Sequence, residues 1–162
     1  EKNIGISKDF NVFELQSALI NRDVLKANRI IRYFGENKKA NPIQMVISQL
    51  FSFFSNLMMY HYLPEKNPAT VAAELKVTPY FTKDYVQAAK NFNAWKTMNI
   101  ISWIRETDSR SKGIDDTGTE PVELMKELIF KIKSKSQDEV IKVIDKLEKS
   151  LVLKTFRECS KL

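Results

Sequence analysis

Residues 41–63, NPIQMVISQLFSFFSNLMMYHYL, are the most apolar part of the chain and decide its fold class. Their large apolar side chains recur every three or four residues, which predicts a helix over about 42–62 with one broad apolar face. That face comprises Val46, Ile47, Leu50, Phe51, Phe54, Leu57 and Met58, with Phe53, Met59 and Tyr60 beside it. A helix apolar on so many sides is typical of the buried centre of a bundle. Interspersed Gln, Ser and Asn residues argue against a membrane span.

Cap and proline signals predict further helices on both sides of this segment. The expected starts are Asp23, Asn41-Pro42, Asn67-Pro68, Thr78-Pro79, Asn93 and Pro121. Gly35 and Gly113 are expected to end the helices that begin at Asp23 and Asn93. The expected core-facing residues are Val24, Ala27, Ile30, Ile31 and Phe34, then Trp95, Met98, Ile101 and Ile104, then Met125, Leu128, Ile129 and Ile132.

No sustained alternation and no hairpin signal occurs, so the predicted fold class is all-α, a bundle of about five to eight helices. We expect residues 1–10 to be an incoming linker and residues 11–135 to be the bundle. Residues 136–162 add an amphipathic helix that opens with the capping-box pattern Ser136-x-x-Glu139. Because the chain begins at Glu1 rather than at a methionine, we expect it to be a fragment of a longer protein.

The composition argues against most enzyme classes. The 162 residues include four glycines, one cysteine and one histidine. The glycines form no dinucleotide-binding or P-loop motif, and one cysteine excludes an internal disulfide and a cysteine-rich zinc site. We therefore expect no enzymatic activity, cofactor or metal ion. The low cysteine content and the lack of a signal peptide favour a cytoplasmic setting.

Two clusters of charged residues and one histidine are candidate sites, and each also has a simpler explanation. The net charge of +6 permits an anionic partner, although an evenly spread lysine-rich surface gives the same value. Arg105, Arg110 and Lys112 end the long predicted helix, where cations are favourable without any ligand. Solvated loop acids are the favoured interpretation of Asp108, Asp115 and Asp116, over a hard-cation site. His61 is expected to be structural.

Residues 69–92 read as a helix, a short turn and a second helix, which is also the pattern of a DNA-reading helix-turn-helix. Lys83 and Lys90 could meet phosphates in that arrangement. However, Pro79-Tyr80-Phe81 leads the second helix in place of polar side chains that read bases. The same pattern arises in any pair of helices packed in a bundle, and a nucleic-acid-binding regulator is therefore the alternative function.

Several segments together resemble the C-terminal collar domain of the bacterial DNA polymerase III delta subunit. The order and spacing of six segments carry the resemblance, which covers about residues 3–132. These segments are NVFELQSAL (11–19), ANRIIRYF (27–34), NPIQMVISQLF (41–51), AAELKVTPYFTKDYVQAAKNF (72–92), ETDSRSKG (106–113) and PVELMKELIFKI (121–132). Residues 133–162 depart from the family pattern.

The resemblance implies a non-catalytic scaffold domain of the clamp loader, the pentamer that opens the sliding clamp and places it on primed DNA. The implied partners are the gamma/tau and delta-prime types of subunit. The sliding clamp would bind only through the preceding AAA+-like modules, which do not hydrolyse ATP. Weak contact with primer-template phosphates is expected at Arg105, Arg110 and Lys112. Subunit contacts are expected at aromatic residues that we expect to be exposed: Tyr60, Tyr62, Tyr80 and Phe81.

Overall fold

The computed structural model describes residues 10–114 and 118–134, and these residues form an all-α bundle, which confirms the predicted fold class. Its elements are α1 (Val12–Ile20), α2 (Val24–Glu36), α3 (Ile43–Tyr62), α4 (Pro68–Leu75), the 3-10 turn Pro79–Phe81, α5 (Thr82–Asn91), α6 (Ala94–Ser111) and α7 (Pro121–Lys133). The predicted linker, apart from Phe10, and the predicted helix over 136–162 lie outside the described residues.

Helix α3 is the centre of the bundle, and it contacts α1, α4, α5, α6 and α7. Its fully buried Phe54 packs edge-on against Phe92, with ring centroids 5.6 Å apart, and against Phe53 at 5.3 Å. Phe53 in turn stacks on Tyr85 at 5.0 Å. This chain of rings joins α3 to Tyr85 on α5 and to Phe92 at the end of the same helix. Buried aromatic pairs of this kind stabilise a core beyond their area alone.

The predicted N-caps at Asp23, Asn67 and Asn93 are confirmed. In each helix the cap side chain accepts a hydrogen bond from the backbone N–H three residues later, at 2.8–2.9 Å. Asn11 caps α1 in the same way, at 3.0 Å. These caps depend on groups only three residues apart, so the local sequence is sufficient to specify them.

Three predicted helix boundaries differ in the structure. Pro42 precedes α3 and no side chain caps this helix, so Asn41 is not its N-cap. Gly35 does not end α2, because the helix continues to Glu36. Thr78-Pro79 opens a 3-10 turn, and α5 begins only at Thr82.

The predicted core face of α6 is wrong for Trp95 and Met98, which are 52% and 41% exposed. The buried face instead carries Lys96, Thr97 and Thr107 beside isoleucines. Each threonine hydroxyl donates a 2.8 Å hydrogen bond to the backbone carbonyl four residues earlier. A polar side chain satisfied within its own helix can be buried at little cost, and counting apolar residues overlooks it.

Two further residues expected in the core lie at the surface. Val24, in the first turn of α2, is 49% exposed, and Phe51 on α3 is 40% exposed. Val24 precedes the stripe formed by Ala27, Ile30 and Ile31, and none of the helices in the described residues buries it. The remaining core residues predicted on α2 and all four predicted on α7 are buried, as expected.

Buried Lys96 connects the start of α6 to the end of α7. Its ammonium donates to the backbone carbonyls of Ser134 at 3.1 Å and Lys131 at 3.5 Å. It also lies 5.0 Å from the centre of the Trp103 ring. A cation is favourable there because the carbonyls of a last helical turn carry the negative end of the helix dipole.

Gly35 lets α2 approach α7 closely. A Cβ atom at this position would lie 2.7 Å from Cγ2 of Val122 and 3.2 Å from its Cβ. Val122 is β-branched and therefore has little rotamer freedom with which to move away. The glycine is needed for helix packing rather than for ending the helix.

We expect Gly35→Ala to lower the free energy of unfolding by about 1–2 kcal/mol, measured by urea denaturation. The steric overlap costs about 1–3 kcal/mol, and the better helix propensity of alanine offsets up to about 1 kcal/mol. In a Val122→Ala background the closer of the two contacts is absent, so Gly35→Ala should no longer destabilise. Equal destabilisation in both backgrounds would contradict this account of the packing.

Candidate functional site

A groove of about 520 Å³ runs between the first half of α3 and the second half of α6. Arg105 and Lys112 line its α6 wall. Two residues seven positions apart on a helix share a face, which places both cations along one side of the groove. The α3 wall contributes Gln44, Ser48 and the exposed ring of Phe51.

The two cations of this basic groove (Arg105 and Lys112) differ in how firmly they are held. Arg105 is exposed, and within residues 10–114 and 118–134 it forms no hydrogen bond or ion pair. Lys112 pairs with Asp108 at 2.6 Å, and both side chains are partly exposed. Exposed pairs of this kind contribute little to stability, so an incoming anion can replace the carboxylate at small cost.

Arg110 does not lie with the other two cations. It faces α7, where its guanidinium donates a 2.7 Å hydrogen bond to Glu127. Lys131 joins Glu127 to Glu106, each at 3.1 Å, so the four charges form a network between α6 and α7. The hydrogen bonds from Arg110 and then from Lys131 lower the pKa of Glu127.

The acidic candidates do not assemble into a described site. The carboxylate of Asp108 forms an ion pair with Lys112, and Asp115 and Asp116 lie outside the described residues. In the part of the chain that the structure describes, no three His, Cys, Asp or Glu side chains converge as metal ligands would.

Three of the four aromatic residues expected at the surface are there. Tyr62, Tyr80 and Phe81 are 74%, 69% and 41% exposed. The expected exposure of Tyr60 is wrong, because this residue is only 5% exposed. It lies three residues after buried Leu57 and therefore points into the same core.

A second groove, of about 620 Å³, lies between α1, α3 and the segment that joins α4 to α5. Phe13 and Phe81 both line it. The Tyr80 ring packs edge-on against Phe81 at 5.4 Å, and the Lys83 ammonium lies 3.9 Å from the centre of the Tyr80 ring. We call Phe13, Tyr80 and Phe81 the aromatic ridge. Tyr80 belongs to it through its contact with Phe81, whereas Tyr62 does not line the groove.

Phe13 is a member of the ridge that the sequence analysis did not single out. It is 58% exposed, whereas its neighbours Val12 and Leu15 are buried on the inner face of α1. In the sequence, the signal for Phe13 is a large aromatic residue that lies outside the apolar stripe of a short helix.

His61 has the structural role expected of it. Its Nε2 lies 2.9 Å from the Phe92 carbonyl oxygen, and because a carbonyl only accepts, the imidazole N–H donates. The Thr97 hydroxyl lies 3.4 Å from the same nitrogen. Burial lowers the pKa of His61, and the charge of Lys66 lowers it further. The hydrogen bond to the Phe92 carbonyl raises this pKa but does not outweigh burial.

The segment considered as a helix-turn-helix comprises α4, a left-handed Lys76, the 3-10 turn and α5. The solvent face of α5 presents Lys83, Val86 and Lys90. Asp84 in its first turn is partly buried, and this burial raises the pKa of its carboxyl group. The exposed residues of this face are two cations and a valine, and the amide of Gln87 beside them is only partly exposed.

Residues 9–132 match the family model of the DNA polymerase III delta subunit, C-terminal domain. The chain belongs to this family. A search of curated proteins finds no match, and a search of solved structures also finds none. Among the described helices of this delta C-terminal domain, none is long and apolar enough to cross a bilayer.

Membership in the delta family leaves the helix-turn-helix alternative without support. The family match runs through all of residues 69–92, so α4 and α5 are part of the delta C-terminal domain. Both helices also pack on α3 inside the bundle.

We expect the free energy of unfolding to fall as the pH is lowered from about 7.5 to about 5.5. Because the folded-state pKa of His61 lies below its ordinary value of 6.5, the unfolded chain takes up the proton first. Stability is therefore full above the unfolded-state pKa and is lost as the pH falls through it. Urea denaturation of the native chain and of His61→Gln measures the effect, and equal pH dependence of the two would refute it.

Proposed function

We propose that this delta C-terminal domain is a clamp-loader collar, a non-catalytic scaffold that holds neighbouring subunits in one assembly while the sliding clamp is loaded onto primed DNA. The family match over residues 9–132 carries the proposal. The all-α bundle supports the proposal, because a rigid bundle of helices with exposed apolar patches can pack against similar domains.

The proposed partners are the gamma/tau and delta-prime types of clamp-loader subunit. The delta subunit in this scheme hydrolyses no ATP and contacts the sliding clamp through modules other than the collar. The cellular location is the cytoplasmic replisome. For this function the domain has to supply surfaces that pack against other subunits and cations that bind DNA phosphates, and no catalytic group.

The aromatic ridge is the proposed subunit contact. Phe13, Tyr80 and Phe81 are large exposed rings beside a groove that a neighbouring side chain can enter. Exposed aromatic residues next to a concave surface are typical of the residues that dominate binding energy at interfaces. Exposed Tyr62, on another side of α3, is a separate candidate contact.

The basic groove is the proposed contact with primer-template DNA. Arg105 is unpaired within the described residues, and Lys112 can exchange an exposed carboxylate for a phosphate. Arg110 has no part in this contact, because its guanidinium serves the network with Glu127. Two cations positioned by a helix can bind phosphates but lack the arrangement that reads sequence.

We expect the 162-residue chain to co-elute with its gamma/tau and delta-prime type partners in size-exclusion chromatography at micromolar concentration. Absence of any complex would count against the collar function. The double variant Tyr80→Ala/Phe81→Ala should weaken the complex about tenfold or more, because it removes both exposed rings of the turn. Met45→Ala removes a comparably exposed apolar side chain outside the groove and should have little effect; equal losses would exclude the ridge as the contact.

We expect Arg105→Ala/Lys112→Ala to weaken binding of a primer-template duplex in fluorescence anisotropy and to make it less dependent on salt. Removing two phosphate contacts should lower the slope of log K against log salt by about 2. The control Arg29→Ala/Lys90→Ala removes the same charge from exposed positions on α2 and α5. A similar change in the control would mean that net charge, and not the basic groove, binds DNA.

A further inference from the structure

The start of α2, the start of α6 and the end of α7 lie together at one end of the bundle. Helix α7 packs between α2 and α6. It is antiparallel to α2, because Gly35 lies beside Val122 while Asp23 acts electrostatically on Lys133. The hydrogen bond from Lys96 to the Ser134 carbonyl places the start of α6 at the same end.

Each of these three helices exposes a large apolar side chain at that end. Leu25, Trp95 and Phe130 are 72%, 52% and 74% exposed. Single apolar residues at a surface are ordinary, but three on adjoining helices at one end make a patch that a further element can cover. We call Leu25, Trp95 and Phe130 the end patch.

Lys133 adds an unsatisfied charge at the edge of the end patch. Its ammonium has almost no solvent exposure and no hydrogen-bond partner among the described residues. Burial lowers the pKa of this ammonium, and the charge of Asp23 only partly opposes the effect. An enclosed ammonium without a partner is costly, so a carboxylate close by would be favourable.

The chain itself supplies a segment that fits this surface. Residues 135–162 follow directly on Ser134, which lies at the end patch, and they fall beyond the family match. Their sequence pattern predicts an amphipathic helix with an apolar stripe, and two acids stand in its first turn. The stripe comprises Val140, Val143, Ile144, Leu147 and Leu151, and the acids are Asp138 and Glu139.

The lengths are compatible. A helix from the Ser136 cap to about Leu151 would be about 24 Å long. Three packed helices with axes about 8–10 Å apart are about 20 Å across, so the stripe can span the patch. The acids stand five and six residues after Lys133, within the first turn of the predicted helix.

We propose that residues 136–162 fold back on their own bundle and cover the end patch with this apolar stripe, with Glu139, on the flank of the stripe, beside Lys133. A second copy or a neighbouring subunit is a poorer occupant, because a connection of one or two residues gives the segment an effective concentration in the millimolar range. The proposal is independent of the collar function.

Two measurements on the full chain test this docking. Hydrogen exchange should show the amides of residues 137–152 protected, since an isolated helix of this length is marginal in water. Acrylamide quenching of tryptophan fluorescence reports whether the tail shields the end patch from solvent. The chain has two tryptophans, Trp95 and Trp103, both on α6.

The variant Ile144→Asp/Leu147→Asp changes only the tail and leaves the bundle intact. We expect tail amides to exchange about tenfold faster or more, and the quenching constant to rise about twofold. Release of the tail exposes its own amides and the end patch to solvent. The control Lys142→Gln/Lys146→Gln makes the same change of net charge on the opposite face of the predicted helix and should alter neither. Phe130→Ser, with folding checked by circular dichroism, should release the tail in the same way.

Three results would overturn the proposal. The first is tail amides that exchange at intrinsic rates in the native chain. The second is protection that increases with protein concentration, which would mean that a second copy is the occupant. The third is equal effects of the apolar-face variant and of its polar-face control.

Discussion

The buried ring of Phe54 is the contact on which the rest of the bundle depends. It lies at the middle of α3, the helix that five others contact, and it meets Phe92 at the entry to α6. Through Phe53 the same ring cluster reaches Tyr85 on α5. Helices packed around one central helix leave grooves where their axes diverge, and both the basic groove and the groove beside the aromatic ridge have α3 as one wall.

The packing of α6 against α7 depends on buried and partly buried polar groups. Lys96 replaces solvent at the carbonyls of the last turn of α7, and the network of Arg110, Glu127, Lys131 and Glu106 continues along the same pair of helices. Buried or partly buried charges hold a particular helix register because they lose energy if their partners move. This register brings the end of α7 beside Trp95 and Leu25, and so creates the end patch.

Helix starts were predictable from the sequence where one side chain and one nearby backbone N–H decide them, as at Asp23, Asn67 and Asn93. The faces of α3 and α7 were largely predictable too, because many apolar residues point the same way. The face of α6 was not, since Thr97 and Thr107 satisfy their hydroxyls locally and Lys96 finds its partners on a distant helix. The separation of Arg110 from Arg105 and Lys112 was not predictable either, because its partner Glu127 lies 17 residues away in sequence.

The sequence by itself determined the all-α class, most of the helix starts, the buried character of α3 and the family. These properties follow from periodicity, local caps and residue order, all of which are written along the chain. Only the tertiary structure decided that Tyr60 is buried, that Gly35 serves α2–α7 packing, and that Phe13 and Phe81 line one groove. Each depends on which helix lies opposite, and helix packing brings together side chains that no local pattern connects.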